Sequence, residues 1–511
     1  MKVPLTVNDF LRRAELVYGD RVGIVDEPEQ PAPSLGSLTY TEVARRVRAQ
    51  AAALDALGVG PGERVAVVSH NSARLLLALF GVSGSGRILV PVNFRLNAEE
   101  VAYIVEHSGS RVLLVDPELD GALAGVTAEH RFVIGDESDA AMFVDDVEPR
   151  PWAADEDATA TINYTSGTTA RPKGVQLTHR NVWVNATTFG WHLGISDRDV
   201  YLHTLPMFHC NGWGLPYAVT GMGGRHIVLR KVDGVEILRR IEEHGVTMLN
   251  GAPTVVSMVI DAAREWQGEI PGRGRVRITV AGAPPPTRTI QEVEEVLGWE
   301  FVQIYGLTET APLLTMNRSR AEYDDLAPGE RAARLGRAGA PTLGVELRVD
   351  DEGEVLARSN VVMEGYWEQA GETARALEGG WFHTGDGGVI DDEAYLSISD
   401  RKKDVIISGG ENVSSIEVED CLFSHPAVAE VAVIGVPDER WGETVKALVV
   451  AAPGMSTSED ELIAHCREHL AHYKCPTSIE VRDELARTAT GKLQKFKLRS
   501  PYWEGRDRQI G

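Results

Sequence analysis

Tyr164-Thr165-Ser166-Gly167-Thr168-Thr169-Ala170-Arg171-Pro172-Lys173-Gly174-Val175 packs hydroxyls, glycines and one lysine into a single loop. Residues 158–164 before it alternate as a strand, and Val175-Gln176-Leu177-Thr178 reads as a second. That pattern predicts a hairpin-like crossing whose tip exposes backbone N–H groups, a chemistry suited to phosphate. It is not a Walker A loop, which needs Gly-x4-Gly-Lys-Ser/Thr opening a helix; here Pro172 precedes the lysine and Gly174 follows it. Taken alone, the stretch also reads as an ordinary polar connector.

Outward from the hairpin, strand and helix alternate. Arg64-Val65-Ala66-Val67-Val68 is followed by a helix through Leu75 to Phe80, then Ile88-Leu89-Val90-Pro91 and the buried strand at 110–115. A helix at 235–244, a strand at 246–250, a helix from Pro253 and a strand at 276–280 repeat the theme. Parallel α/β layers bury such elements on both faces. Ligands of open α/β sheets bind beyond the carboxyl ends of the strands, where Gly251-Ala252-Pro253 and Ala281-Gly282-Ala283-Pro284 lie. From 335 to 398 short strands with glycine turns predict a small β-barrel-like subdomain, and a compact α+β module begins after Asp400.

The chain has 511 residues, which calls for more than one core. Its 51 basic and 75 acidic residues leave a net charge of −24, a surface that repels nucleic acid and anionic lipid. With neither a signal-like start nor an 18-residue apolar run, a soluble cytoplasmic protein is expected. Cys210, Cys421, Cys466 and Cys475 are too scattered for a disulfide framework or a paired-cysteine zinc site. His465-Cys466-Arg467-Glu468-His469 matches the H-x-x-E-H pattern, but it falls in an amphipathic helix at 459–470 whose buried face is Leu462, Ile463, Cys466 and Leu470. With no third ligand implied by the sequence, zinc is not expected there.

Four further segments decide the functional reading: Gln303-Ile304-Tyr305-Gly306-Leu307-Thr308-Glu309-Thr310, Gly380-Trp381-Phe382-His383-Thr384-Gly385-Asp386, residues 400–412 from Asp400-Arg401-Lys402-Lys403 to Gly409-Gly410-Glu411-Asn412, and Arg487-Thr488-Ala489-Thr490-Gly491-Lys492. With the opening loop, in this order, they resemble the adenylate-forming superfamily of acyl-CoA synthetases, peptide-synthetase adenylation domains and beetle luciferases. The resemblance runs from about residue 35 to 498. It implies an N-terminal domain (1–402) that binds adenylate and acyl group, and a mobile C-terminal domain (403–511) hinged near Lys403. It also implies the substrates and cofactors: ATP (leaving as AMP), Mg²⁺, coenzyme A and a small-molecule carboxylic acid.

The resemblance distributes roles over the chain. Thr165, Ser166, Gly167, Thr168, Thr169 and Lys173 would hold the β- and γ-phosphates, Thr308 the α-phosphate, and Glu309 the Mg²⁺, which prefers carboxylate and phosphate oxygens. Tyr305 offers a flat face to adenine, with Gly306 beside it and Ala283 and Pro284 as the opposing wall. Asp386 and Arg401 fit a ribose diol. Lys492 would bridge carboxylate and α-phosphate during adenylation, while Gly409 and Gly410 would admit the pantetheine in the second conformation. Trp441 and Tyr473 resemble positions that contact the CoA nucleotide; packing between domains is the alternative for both.

His209 follows Leu205-Pro206-Met207-Phe208, the segment that in this family lines the acyl pocket, with Trp213, Gly282, Gly306 and Leu307 as further walls. No acid stands in His209-Cys210-Asn211-Gly212-Trp213-Gly214 to pair a substrate ammonium, so an amino acid is disfavoured and a neutral apolar acid is expected. The segment does not resemble a luciferin site. One departure stands out: Ala170 occupies a position where the family usually has glycine. If that position needs a left-handed backbone, adenylation would be weak, and the chain would be a thioesterification-specialised ligase fed by a partner adenylating enzyme. A ligase loading an acyl carrier protein, and a lapsed adenylate- or CoA-binding regulatory protein, are the other readings; a homodimer is compatible with each.

Overall fold

The computed structural model describes the chain apart from residues 145–146, 166–171, 283, 402–403, 409–410, 439–440, 488–492 and 505–511 and the side chains of 400, 401 and 412. Ser166, Gly167, Thr168, Thr169, Ala170, Ala283, Lys403, Gly409, Gly410 and Lys492, and the side chain of Arg401, therefore lie outside the described residues.

Two large mixed sheets carry the N-terminal part. In the first, the strands Arg64–Val68, Ile88–Val92, Ser110–Val115, His130–Val133 and Thr159–Thr165 are parallel, and Lys173–Thr178 and Gly365–Tyr366 add antiparallel at one edge. In the second, Val22–Val25, Arg225–Val228, Val200–His203, Met248–Gly251, Arg277–Val280 and Glu300–Gly306 are parallel, flanked by antiparallel strands at both edges. The near-continuous Val, Ile and Leu runs of these strands are what burial on both faces requires. One hydrophobic core joins the sheets, from Val65 and Leu89 to Tyr201, Met248 and Val302.

Helices close the layers, and their sequences say why. Ala73–Gly81 is buried throughout and apolar but for Arg74, which pairs with Asp139, as suits a helix between sheets. Gly234–His244 starts at Asp233, whose carboxylate accepts from the Glu236 N–H, buries Ile237, Leu238 and Ile241 on one face, and stops at Gly245 in a left-handed conformation. Each such apolar side chain contributes about 1.5–3 kcal/mol on full burial.

Val345–Val349, Glu354–Ser359, Phe382–Ile390 and Leu396–Arg401 form the expected small antiparallel sheet. Beyond it a five-stranded sheet and the helices Ser415–Phe423 and Glu459–His469 close a separate core around Ile406, Val418, Leu422, Val433, Val449 and Leu462. The architecture is a large α/β N-terminal domain followed by a small α+β one. Among the described residues no helix is long and apolar enough to cross a membrane. All four cysteines are free thiols.

Candidate active site

The hairpin exists as read. Thr159–Thr165 pairs antiparallel with Lys173–Thr178, and Thr165 opposite Lys173 is the last pair before the loop. A Cβ at Gly174 would stand 2.8 Å from Ile162 Cγ2 and 3.1 Å from Tyr164 Cζ, so glycine lets the two strands close at the loop's base. Lys173 Nζ lies 2.6 Å from Glu372 Oε2 and 4.9 Å from the centre of the Tyr366 ring.

Three parallel strands of the second sheet end side by side. Gly251 is in register with Val280, and Val280 with Gln303, so Gly282, Pro284 and the segment from Tyr305 to Glu309 emerge at one carboxyl edge. A cavity of about 340 Å³ opens at the opposite, amino edge, against Arg275, Glu294, Glu300 and Arg331; strand polarity sets it apart from the ligand-binding edge. Gly282 has φ +96°, and no heavy atom stands within 4 Å of where its Cβ would be. The Tyr305 hydroxyl donates to Asp386 Oδ2 at 2.8 Å, and Asp386 faces Arg401 across the small sheet. Tyr305 and Asp386, 81 residues apart in sequence, thus meet, with the tyrosine ring only partly buried.

Gly306 is required by packing: a Cβ there would sit 1.6 Å from the Pro312 carbonyl oxygen. This close approach holds the short turn Thr308–Thr310, where the Leu307 N–H donates to Thr310 Oγ1 at 3.0 Å and Thr310 Oγ1 donates to the Pro312 carbonyl at 2.6 Å. Glu309 is aimed by Tyr366, whose hydroxyl donates to Oε1 at 2.9 Å. Burial, and then the Glu309 carboxylate beside it, push the Tyr366 phenol well above its ordinary value, so it stays a donor. The sequence reading missed Tyr366; its only local signal was an aromatic pair, Tyr366-Trp367, in an otherwise polar stretch.

The segment expected to line the acyl pocket hangs on a residue the reading also missed. The Asn71 amide donates to the carbonyls of His203 at 2.8 Å and Leu205 at 3.1 Å, and its oxygen accepts from the Met207 N–H at 2.8 Å. Met207, Phe208 and Trp213 are buried, and Phe208 meets Phe94 edge-on at 5.5 Å. His209 is partly exposed at the head of a left-handed run: Cys210, Asn211, Gly212, Trp213 and Gly214 all have φ between 45° and 83°. Left-handed backbone costs each of the three non-glycine residues about 1–2 kcal/mol. Surrounding bonds hold the run in place: Asn163 donates to Asn211 Oδ1 at 3.2 Å, and Asn185 donates to the Trp213 carbonyl at 3.0 Å. The Cys210 thiol, pushed up by burial and by Glu309, donates to the Thr308 carbonyl at 3.9 Å and links this wall to the Glu309 turn.

In the C-terminal domain Trp441 and Tyr473 are each about half exposed, at 47% and 48%. The domains meet where the Thr287 N–H and hydroxyl donate to the Asp420 carboxylate at 2.9 and 3.1 Å.

Residues 11–367 match the model of the AMP-binding enzyme family, and residues 417–492 that of the AMP-binding enzyme C-terminal domain. The chain belongs to the AMP-binding enzyme family. Probable acyl-activating enzyme 6 of Arabidopsis thaliana is 37% identical to this AMP-binding enzyme over 97% of the chain and 96% of its own length. The 2-methylpropanoate–CoA ligase CCL4 of Humulus lupulus is 36% identical over 97% and 95%. Among solved structures, the anthranilate CoA ligase AuaEII in complex with anthranoyl-AMP superposes with a TM-score of 0.87 at 28% identity, covering 98% of this chain and 99% of that one. The O-succinylbenzoate coenzyme A synthetase of Bacillus subtilis in complex with ATP and a magnesium ion gives a TM-score of 0.81 at 30% identity, covering 96% and 99%.

Proposed function

We propose that this AMP-binding enzyme is an AMP-forming acid–thiol ligase that activates a neutral, largely apolar carboxylic acid and passes the acyl group to coenzyme A. The observation that carries the reading is the convergence of Tyr305, Asp386 and Glu309 at one carboxyl edge, with the buried Met207–Phe208–Trp213 wall tied to the same turn through Cys210.

In the first half-reaction a carboxylate oxygen of the acid attacks the α-phosphorus of ATP, and the bond to the β-phosphate oxygen breaks to release pyrophosphate. Anions must approach anions, so the charge has to be met by groups already in place. Asp386, the Tyr305 ring and Arg401 present an acceptor, a stacking face and donors, a set that fits an adenosine. Thr308 and the hairpin residues from Thr165 to Lys173 serve the phosphates. Glu309 is the residue to hold Mg²⁺: a carboxylate oriented by a phenol and flanked by hydroxyl side chains suits a hard cation. When bound, the ion neutralises phosphate charge. Lys492 bridges carboxylate and α-phosphate. In the second half-reaction the CoA sulfur attacks the acyl carbonyl, the C–O bond to AMP breaks, and AMP leaves. His209 gates that approach, Gly409 and Gly410 line it, and Trp441 and Tyr473 meet the CoA nucleotide.

The apolar acid is supported by the buried, acid-free wall at 205–214. The boundary between the two domains is set at 402/403, with Lys403 as hinge; the separate C-terminal core supports it. The test is a panel of short, branched and aromatic acids assayed for CoA-dependent AMP formation, with each half-reaction followed separately. Lys492→Ala is expected to lower pyrophosphate release by about 10²–10³ and to spare thioester formation from supplied acyl-adenylate. Equal damage to both halves would refute the two-conformation assignment. Pyrophosphate release that stays negligible with every acid, beside brisk thioester formation, would favour the narrower reading raised by Ala170.

A further inference from the structure

The C-terminal domain holds a second group of chemistry-bearing side chains that acid activation does not use. Ser415–Phe423 and Glu459–His469 share one core through Val418 and Leu422 on the first helix and Leu462, Ile463 and Cys466 on the second. Beside that core the spacing is regular. Cys421 lies in the last turn of the first helix with His425 just beyond its end, and His465 and His469, four apart on the second, stand on one face. Cys421 Sγ and one ring nitrogen each of His465 and His469 all lie within 4.8 Å of one another. Sulfur and nitrogen ligands of a tetrahedral ion at about 2.0–2.3 Å stand about 3.3–3.6 Å apart, so modest side-chain rotation closes the set.

His465 Nε2 lies 3.1 Å from the Cys421 carbonyl oxygen and 2.9 Å from Ser424 Oγ, and His469 Nδ1 lies 2.8 Å from the His465 carbonyl oxygen, contacts that orient both rings. The His425 ring packs edge-on against His465 at 5.1 Å, with its Nδ1 accepting from the Ala427 N–H and its Nε2 3.6 Å from Glu461. The Cys466 thiol, hydrogen-bonded to Cys421, stands in the same cluster, and a thiolate with imidazoles suits zinc-class ions. Cys421 supplies the third ligand that the H-x-x-E-H stretch lacked in sequence. Glu468 of that stretch is exposed and outside the set, which makes the arrangement a binding site and not a peptidase centre.

We propose that Cys421, His465 and His469 bind one zinc-class divalent ion, with water or His425 in the fourth position, fastening the two helices of the C-terminal domain together. Asp420, the neighbour of Cys421, makes the contact to Thr287, so the ion also steadies the helix end that touches the N-terminal domain.

The test uses the full untagged chain, reduced and stripped of metal, titrated with Co²⁺ and then with competing Zn²⁺. One equivalent of Co²⁺ is expected to give the visible bands of a tetrahedral site and a thiolate-to-cobalt band in the near ultraviolet, both removed by Zn²⁺. Cys421→Ser should abolish the thiolate band, and His465→Gln and His469→Gln should each weaken binding at least tenfold. His469 is exposed, so its variant is expected to fold normally by circular dichroism and serves if Cys421→Ser does not fold. No thiolate band in the wild type, or unchanged affinity in folded His469→Gln, overturns the proposal.

Discussion

Replacing Gly306 with alanine tests whether the Glu309 turn is held by steric fit. The added Cβ would lie 1.6 Å from the Pro312 carbonyl oxygen, where such contacts essentially never fall below 3.0 Å, so the two backbone segments must part by about 1.4 Å. Pro312 also receives the Thr310 hydroxyl at 2.6 Å, so the parting takes the Thr308–Thr310 turn and Glu309 with it. A misplacement of about 1 Å in a positioned group costs about 10² in rate. Pyrophosphate release from ATP and acid should therefore fall at least about 10²-fold in Gly306→Ala. Overpacking of this kind costs about 1–3 kcal/mol, which a chain of this size survives at 25 °C. Thioester formation from supplied acyl-adenylate needs no Glu309, so it should fall far less. Gly353→Ala, in a turn of the small sheet, is the control, since its Cβ meets nothing within 4 Å and the cost is only left-handed strain. Pyrophosphate release within threefold of wild type in folded Gly306→Ala would refute the assignment of Glu309 and its turn.

Three further outcomes are expected. Tyr366→Phe removes the donor that aims Glu309, a charge-assisted bond of about 1.5–3 kcal/mol, and should raise the Mg²⁺ concentration needed for half-maximal adenylation about tenfold; an unchanged Mg²⁺ dependence would sever the pair from catalysis. Glu372→Gln releases Lys173 from its ion pair and should lower KM for ATP about two- to fivefold, in keeping with a partly exposed pair; a higher KM would mean that Lys173 needs Glu372 for its position. His226 is fully buried beside His203, with its titration held down to about 3 by burial, so below pH 6.5 the unfolded chain takes up a proton that the native one refuses and stability falls with pH. Between pH 7 and 5 this amounts to about 2 kcal/mol for His226, and urea melts of His226→Gln should show a correspondingly shallower decline.

The sheets were readable because each strand carries its own signal. Runs such as Ile88–Val92 need no partner to be recognised, and the hairpin around the 166–171 loop announces itself by two alternating flanks. Tyr305, Thr308 and Glu309 were singled out because they share one contiguous motif, which the structure sets at the end of the strand Glu300–Gly306. What escaped were residues whose meaning lies in a contact across the fold. Tyr366 reaches Glu309 over 57 residues, Asn71 reaches Leu205 over 134, and Glu372 reaches Lys173 over 199. None has a local pattern, since a lone Asn or Glu reads as surface. Cys421 escaped for the same reason, for it meets His465 from another helix.

Asn71 has an implication for how such a ligase diversifies. It follows the Arg64–Val68 strand of one sheet yet suspends the backbone at His203, Leu205 and Met207 of the other through its own amide, while Tyr305 and Asp386 brace each other separately. The clasp grips main chain and is indifferent to the side chains along 205–209, of which Leu205, Met207 and Phe208 are held by their burial instead. On the acyl-pocket reading proposed above, a partly exposed position such as His209 is where a lineage, or an engineer, would retune the acid accepted, and Asn71 is the position such a search should leave fixed.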